Sequence, residues 1–386
     1  MDREEPGSAR PRLSRAARAL TWGKTTAVET RTQLTVGAVV IVIVGALLYL
    51  RSSKNGASDA HDGGVGATSS AGGSTSTTPS ASASNGEARV ANDSDAAAFD
   101  DRSGRLILTA KWGSGNTELG RERPQEGNAE GPMSLAFAGD DLLVLDQVNG
   151  RLSRFDKNGR SKGTTRAPNT VQDVAVGADG SVAMLDKLVG KTVTLTDASG
   201  RKVGELPLTP KVSEPGLVTG VVVDGKNVYV EKEHGALVPI GTIDGQPPPS
   251  DATDLMGRPT KDGALLVTAG ITSKREGKAH VNAVDRKTTS LRFARSVSFP
   301  RPSHAIVMLD SDSQGTIYLG VATGDPSEAN IACLDPNDGH VVGRVVLPLS
   351  RTPEESFRDF TVANDGTIAY ALRTEESVEY RTARCR

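Results

Sequence analysis

The sequence predicts an all-β fold, a six-bladed β-propeller that follows an N-terminal transmembrane helix and a disordered linker. After residue 102, short apolar segments with a period of two residues and many β-branched side chains recur, which is typical of strands. Most copies carry a glycine turn, and the intervals between these glycines are 45, 38, 52 and 51 residues for Gly180, Gly225, Gly263, Gly315 and Gly366. Such intervals match a four-stranded blade with loops of variable length.

The N-terminal region predicts a single membrane anchor. Residues 32–50, TQLTVGAVVIVIVGALLYL, contain no charged side chain, and a helix of this length covers roughly 28 Å, close to the hydrocarbon thickness of a bilayer. The long segment before the span and Arg51 directly after it favour an uncleaved signal anchor over a cleaved signal peptide. A buried core helix is the other interpretation, but the run lacks the polar face expected of one.

Charge predicts the orientation of this anchor. Seven Lys or Arg side chains lie within residues 1–31, and two follow the span before residue 55. The positive-inside rule therefore places residues 1–31 in the cytoplasm and the rest of the chain outside it. Because the composition, rich in Ala, Gly, Arg and Asp, suggests a bacterium, we predict an inner-membrane protein with a periplasmic C-terminal domain.

Residues 51–101 predict a flexible linker. They are rich in Ser, Gly, Ala and Thr, with few large apolar side chains to offset the entropy of ordering. A coil of this length has a root-mean-square reach of roughly 35–42 Å. It would hold the domain of residues 102–386 near the membrane while leaving it free to search. A glycan-bearing stalk is equally compatible with this composition.

The propeller contains six sequence units. The clearest pair is FAGDDLLVLDQVNGRLSRFDKNG, residues 137–159, and VGADGSVAMLDKLVGKTVTLTDASG, residues 176–200. Weaker copies centre on residues 224–225, 262–263, 314–315 and 365–366. The last copy stops after its third strand, whereas GRLILTAKWG, residues 104–113, is a strand without a unit of its own. We expect residues 106–111 to pair with residues 378–384 and close the ring.

The first unit resembles the entry of NHL-repeat propellers. In residues 108–160 a Trp-Gly strand end and a Gly-rich loop precede a strand of the form Pro-x-x-apolar-Ala. Leu145–Asp146 and Asn149–Arg151 stand where that family has its D-x-x-N-x-R-I turn. The resemblance covers about residues 105–201, implies a six-bladed propeller and fades between residues 240 and 300. There, GQPPPSDATDLMGRP, residues 245–259, interrupts the third unit.

Carboxylates at the ends of the second strands are the candidate metal ligands. Asp146, Asp186 and Asp325 are the predicted set, and Glu231 and Glu375 occupy comparable positions. Side chains there can approach the propeller axis, and a Ca²⁺ ion requires several oxygen ligands. The alternative, which we favour, is that these carboxylates cap turns by accepting backbone N–H bonds, because their neighbours differ from unit to unit.

One atypical loop is a second candidate. EKEHG, residues 231–235, contains Glu231 and His234 where the repeat predicts an ordinary turn. Histidines after residue 102 have no His or Cys partner at a spacing of three or four, so a zinc site has little support. The sequence also lacks the nucleophile-elbow, Walker and H-E-x-x-H motifs. We predict no cofactor, with calcium as the alternative.

Charge and composition exclude nucleic acid as a predicted partner. The net charge is −2, the isoelectric point is about 6.3, and aromatic residues make up 4% of the chain, so both a global basic field and a stacking surface are missing. We predict a non-enzymatic module that binds a protein or envelope component through a loop face. The alternatives are a calcium-dependent hydrolase or lyase and a signalling role for the cytoplasmic tail.

The two cysteines are predicted to lie in the third strands of adjacent blades. Cys333 falls in the fifth unit and Cys385 in the sixth. Because outer strands splay apart, we expect a separation greater than the 4.4–6.8 Å between Cα atoms that a disulfide needs, although an extracytoplasmic compartment would permit the bond.

Overall fold

The structure is a computed structural model that describes residues 91–92, 104–324 and 328–385. The predicted cytoplasmic segment, the predicted transmembrane span at residues 32–50 and most of the predicted linker lie outside the described residues. Among the helices of the described part, none is long and apolar enough to cross a membrane.

Six sheets form the blades of a propeller, as the repeat predicts, and consecutive strands within each blade are antiparallel. In chain order the strands before and in the first two blades are β1 (Ala91–Asn92), β2 (Arg105–Lys111), β3 (Ser134–Ala138), β4 (Asp141–Asp146), β5 (Arg151–Phe155), β6 (Ser161–Arg166), β7 (Asp173–Val176), β8 (Val182–Asp186), β9 (Thr192–Thr196) and β10 (Lys202–Pro207). Blade 1 is β3–β6 and blade 2 is β7–β10.

The remaining blades follow in the same way. Their strands are β11 (Val218–Asp224), β12 (Asn227–Lys232), β13 (Leu237–Thr242), β14 (Arg258–Pro259), β15 (Leu265–Ser273), β16 (Lys278–Asp285), β17 (Leu291–Ser298), β18 (Ser303–Ser311), β19 (Ile317–Thr323), β20 (Glu328–Leu334), β21 (Val341–Pro348), β22 (Phe360–Val362), β23 (Ile368–Arg373) and β24 (Ser377–Ala383). Blade 3 is β11–β13, blade 4 is β14–β17, blade 5 is β18–β21, and blade 6 is β22–β24 with β2. Strand β1 adds in parallel to the outer side of β17, so the sheet of blade 4 has five strands. In each blade the first strand in this order is innermost.

Burial falls from the middle of a blade to its outer edge. Every residue of the second strands β8 and β19 is buried, whereas the outermost strand β6 is mostly exposed. A blade stacks on a neighbour through each face, so its central strands read as continuous apolar runs. The resulting apolar clusters lie between blades, for example Leu185, Leu195, Val221 and Val230 between blades 2 and 3.

The ring closes as the sequence predicts. Strand β2 pairs antiparallel with β24, with Leu106 opposite Arg381 and Lys111 opposite Ser377, and it forms the outermost strand of blade 6. The turn of blade 1 that contains Gly159 packs on this strand. Gly159 has a φ of +75°, and a Cβ atom there would lie 2.2 Å from the Ile107 carbonyl oxygen. Only glycine fits this contact without a shift of the backbone.

Blade 3 departs from the four-stranded expectation. It has three strands, and the segment with three consecutive prolines, residues 247–249, follows β13 where a fourth strand was expected. Proline has no N–H group to donate to a strand ladder, which explains why pairing ends here. The chain then returns through Leu255, whose backbone exchanges two hydrogen bonds of 2.9 Å with Leu237.

The expectation of a wide separation between the two cysteines is wrong. Cys333 and Cys385 form a disulfide, with their Cα atoms 6.3 Å apart. The predicted position of Cys333 is correct, since it lies in β20, the third strand of blade 5. The expectation that Cys385 lies in the third strand of blade 6 is wrong. Cys385 lies two residues beyond the end of β24 at Ala383. The chain has left the sheet there and can reach the neighbouring blade.

Candidate functional site

A charged cluster occupies one end of the propeller axis. We call this end the upper face, defined as the face on which the innermost strands begin and the second strands end. The cluster, termed the axial cluster, consists of Asp173, Lys187, Glu231, Arg258 and Arg358. Its members come from blades 2, 3 and 4 and from the segment that enters blade 6. Because the innermost strands of different blades converge here, side chains distant in sequence are neighbours.

Asp173 is the fully buried centre of this cluster. It begins the innermost strand of blade 2 and accepts a hydrogen bond from the Ser134 hydroxyl of blade 1 (2.7 Å). Its other carboxylate oxygen accepts from the Val221 N–H of blade 3 (3.0 Å) and from Nη2 of Arg358 (2.6 Å). One carboxylate therefore links three blades and holds the segment before blade 6. Charge-assisted bonds of this kind satisfy a buried ion that burial alone would destabilise.

Glu231 and Arg258 form a bidentate ion pair between blades 3 and 4. Nε of Arg258 lies 2.7 Å from Oε1 of Glu231, and Nη2 lies 2.9 Å from Oε2. Burial acts to raise the pKa of Glu231, but the hydrogen bonds and charge of Arg258 outweigh it, so this pKa lies below its usual value. Glu231 is therefore ionised at neutral pH.

Lys187 lies at the rim of the axial cluster. Its Nζ donates to the Val218 carbonyl oxygen (2.7 Å) and lies 4.9 Å from the centre of the Phe357 ring. Burial lowers the pKa of Lys187, and the negative charge of Asp173 opposes this effect. Its ammonium group contacts a carbonyl and an aromatic face rather than a paired carboxylate, so a part of its positive charge is available to a ligand.

The cluster exposes cations and buries anions. The side chains of Arg258 and Arg358 are 30% and 26% exposed, whereas those of Glu231 and Asp173 are 4% and 0% exposed. The carboxylates are occupied by protein donors. The arrangement can therefore attract an anionic group, but it offers no unpaired carboxylate to act as a base or a metal ligand.

The predicted metal ligands Asp146 and Asp186 cap turns in separate blades. Asp146 is completely buried and accepts hydrogen bonds of 2.8 Å from the Gly120 N–H, the Asn149 amide and Nε of Arg151. Asp186 accepts from the Thr170 hydroxyl and the Val189 N–H. Both carboxylates are thus engaged by donors from their own turns and from the segments before their blades. The third member of the set, Asp325, lies outside the described residues.

The other predicted residues lie in two separate places. Glu231 belongs to the axial cluster, and His234 lies above it with a mostly exposed ring whose Nδ1 is 3.5 Å from Oε2 of Glu231. The backbone of His234 has a φ of +55° in the atypical loop. Glu375 is exposed and pairs with Arg123 at 2.7 Å, away from the axial cluster. The structure therefore brings Glu231 and His234 together and leaves Glu375 apart.

A second group of possible ligands lies in the turn between β20 and β21. The ligand atoms of Asp335, Asp338 and His340 lie within 4.8 Å of one another. Nδ1 of His340 is 2.7 Å from a carboxylate oxygen of Asp338, and this interaction raises the pKa of His340. Asp335 accepts from the Asn337 N–H, as the equivalent aspartates do in other blade turns. The signal in the sequence is DPNDGH, a variant of the repeated Asp-x-x-Gly turn.

Sequence reasoning missed Asp173, Lys187, Arg258 and Arg358. The available signal was a charged residue next to the apolar run of an innermost or second strand, as in QDVAV and MLDKL. Only the ring places these positions around one axis.

Two clefts lie away from the axial cluster. One of about 970 Å³ lies where blade 6 meets blade 1 and includes Arg105, Asp156 and Cys385 in its walls. Another of about 430 Å³ adjoins Leu349, Thr352 and Arg373.

Comparisons with known proteins add no functional assignment. No protein-family model and no curated protein matches the chain. Among solved structures, the chain is similar to hydrazine synthase of Kuenenia stuttgartiensis, with 14% identity, coverage of 65% of this chain and 80% of that chain, and a TM-score of 0.41. It is also similar to Hsv2 of Kluyveromyces lactis, with 10% identity, coverage of 62% and 70%, and a TM-score of 0.38.

A third similar structure is streptogramin B lyase, with 14% identity, coverage of 67% of this chain and 95% of that chain, and a TM-score of 0.37. At these identities and TM-scores the similarities carry no argument about function, and the six-bladed architecture rests on the strand pairing itself.

Proposed function

We propose that this protein is a membrane-anchored, extracytoplasmic β-propeller that binds a protein or another envelope component without catalysing a reaction. The predicted span at residues 32–50 would anchor it in the inner membrane, and the predicted linker at residues 51–101 would let the propeller reach its partner. Its resemblance to NHL-repeat propellers, over about residues 105–201, is part of this proposal.

The observation that carries the proposal is the state of the carboxylates at the axis and at the ends of the second strands. Asp146, Asp173 and Glu231 each accept hydrogen bonds from Arg side chains and other protein donors. A general base needs an accessible lone pair, and a Ca²⁺ site needs several convergent oxygen atoms. The donor set therefore fits a rigid binding surface better than a reactive centre.

The disulfide supports the extracytoplasmic location. Cys333 and Cys385 join two blades, and both described cysteines are used in this bond. Structural disulfides persist in oxidising compartments such as the periplasm and are rare in the cytosol. This agrees with the orientation that the basic residues before the span predict.

The experiment that tests the proposal is cross-linking in cells of the native host. The full-length chain and a control chain that ends at residue 103 are expressed with the same affinity tag and cross-linked with formaldehyde. We expect at least one envelope protein to be recovered with the full chain alone. If the two chains recover the same proteins, the propeller does not bind a protein partner and the proposal is wrong.

The alternative of a calcium-dependent hydrolase or lyase makes a different prediction. It requires Asp146 and Asp186 to exchange their present donors for a shared ion, although they cap turns in different blades. Elemental analysis of the purified full chain, followed by a thermal shift on addition of Ca²⁺, distinguishes the two. A stoichiometric metal that is lost on Asp146→Ala or Asp186→Ala would favour the enzyme.

A further inference from the structure

We propose that the upper face over blades 2–4 binds an extended polypeptide segment of a partner protein in which an Asp or Glu side chain is flanked by apolar side chains. This inference rests on the proposed binding function and names its site and the chemistry of the partner. The carboxylate would enter the axial cluster, and the apolar side chains would pack on the rim beside it.

The first observation is where exposed apolar side chains lie. Four large ones are on the fourth strands of blades, counted from the axis: Leu106, Val203, Leu291 and Val342. The other four in the described part of the chain lie between strands at the upper face, Leu217 at the end of the 3-10 helix Pro215–Leu217 and the rest in loops: Leu188, Val189, Leu217 and Met256. Leu188 is 56% exposed, and Val189 and Met256 are each 70% exposed. Apolar loop residues grouped on one face of a soluble domain are typical of an interaction site.

The second observation is that hydrogen bonds connect the loops that carry these side chains. Lys187, which directly precedes Leu188, donates from Nζ to the carbonyl oxygen that directly follows Leu217. The backbone N–H of Glu233 donates to the Leu217 carbonyl oxygen (3.1 Å). Leu237, which begins the strand that follows the loop of Glu233, exchanges two backbone hydrogen bonds with Leu255, the neighbour of Met256. The four apolar side chains thus stand on one connected rim beside the axial cluster.

The third observation is charge. In the described part of the chain, the hydrogen bonds of the Arg358 side chain all come from Nη2, so Nε and Nη1 remain able to donate to a ligand. Nζ of Lys187 uses one of its three N–H groups on a carbonyl. Both cations adjoin Phe357: Nζ of Lys187 lies over the Phe357 ring, and Arg358 is the next residue along the chain. Their nearest carboxylate, Asp173, is buried beneath them. An incoming carboxylate therefore meets donors rather than acceptors.

These features favour a polypeptide over a lipid surface. The side chains of Arg258 and Arg358 are only partly exposed, so a single carboxylate on a flexible stem can reach them more easily than a layer of headgroups can. The apolar side chains lie to one side, over blades 2–4, as an extended chain with alternating side chains would require. A bilayer with anionic lipids is the other occupant that the same charges could attract, and the experiment includes it.

The test uses the full chain purified in detergent. A random peptide library displayed on phage is selected against it, and the selected peptides are synthesised and titrated by fluorescence anisotropy. We expect a consensus with Asp or Glu beside apolar residues. We also expect Leu188→Glu and Lys187→Gln each to raise the Kd at least about tenfold. The matched control Leu291→Glu, at an exposed apolar residue on the fourth strand of blade 4, is expected to change the Kd less than about twofold.

Several results would overturn this assignment. They are a consensus without acidic residues, no selected peptide at all, or equal binding to the Leu188→Glu and parent chains. Binding of vesicles with anionic lipids, abolished by Leu188→Glu while peptides fail to bind, would assign the face to a membrane instead. If Leu188→Glu leaves the cellular cross-links of the full chain unchanged, the proposed binding function stands and this site alone is wrong.

Discussion

The disulfide gives the most quantitative prediction about this fold. Cys333 and Cys385 are 52 residues apart in sequence, and the bond joins the third strand of blade 5 to the chain just beyond the closing sheet. In the chain-entropy model, closing a loop of this length in the unfolded chain stabilises the folded state by about 4 kcal/mol. With an unfolding entropy typical of a propeller of this size, its loss lowers the Tm by about 7 °C.

The perturbation is Cys385→Ala in the full chain. It removes the bond at its more accessible end and leaves Cys333 as a buried thiol in its apolar cluster. Thermal unfolding followed by intrinsic fluorescence compares this variant with the parent chain, each with and without dithiothreitol. We expect the variant and the reduced parent to share the lower Tm, and dithiothreitol to have no effect on the variant.

Two outcomes would refute this reasoning. A Cys385→Ala variant with the Tm of the oxidised parent would mean that the bond contributes nothing to the ring beyond the pairing of β2 with β24. A parent whose Tm does not respond to a reductant able to reach the bond would mean that the bond does not form. The second outcome would also remove the support that the disulfide gives to an oxidising compartment.

Three further predictions concern the closure and the axial cluster. Gly159→Ala should lower the free energy of unfolding by at least about 2 kcal/mol more than Gly139→Ala does, because both glycines have a positive φ but only Gly159 contacts the closing strand β2. Equal losses for the two variants in denaturant titrations would contradict this tight contact. Asp173→Asn should destabilise the chain by about 3–5 kcal/mol, since it leaves Arg358 without its buried counter-ion; a change below about 1 kcal/mol would mean that the carboxylate does not hold the blades together. The pKa of Glu231 is lower in the folded chain than in the unfolded chain, so the unfolded chain binds more protons below about pH 4.5. The stabilisation that the ion pair of Glu231 contributes is therefore present above that pH and is lost as the pH is lowered through the folded-state pKa. Glu231→Gln should make this acid loss shallower in Tm measurements from pH 6 to pH 3, and an unchanged profile would contradict the ion pair.

The fold was largely predictable because it is encoded locally. Period-two apolar runs and glycine turns recur within each unit, and a blade can bury its faces only by stacking on similar blades, so the repeat implies a ring. The missing fourth strand of the last unit and the unmatched strand at residues 104–113 predicted how the ring closes, and β2 pairs with β24 as expected. The proline-rich segment that follows β13 was recognised as an interruption of the repeat. The absence of a fourth strand from blade 3 was not predicted.

The sequence by itself determined the repeated strands, the closure and the segments that predict an anchor and a linker, since each depends on local pattern. Only the tertiary structure decided which side chains meet at the axis. Asp173 contacts Ser134 at a distance of 39 residues and Arg358 at a distance of 185 residues along the chain, and nothing in local periodicity specifies such pairs. The disulfide has the same origin: Cys385 leaves its sheet after Ala383, and the position of the neighbouring blade, rather than the spacing of the cysteines, brings it to Cys333.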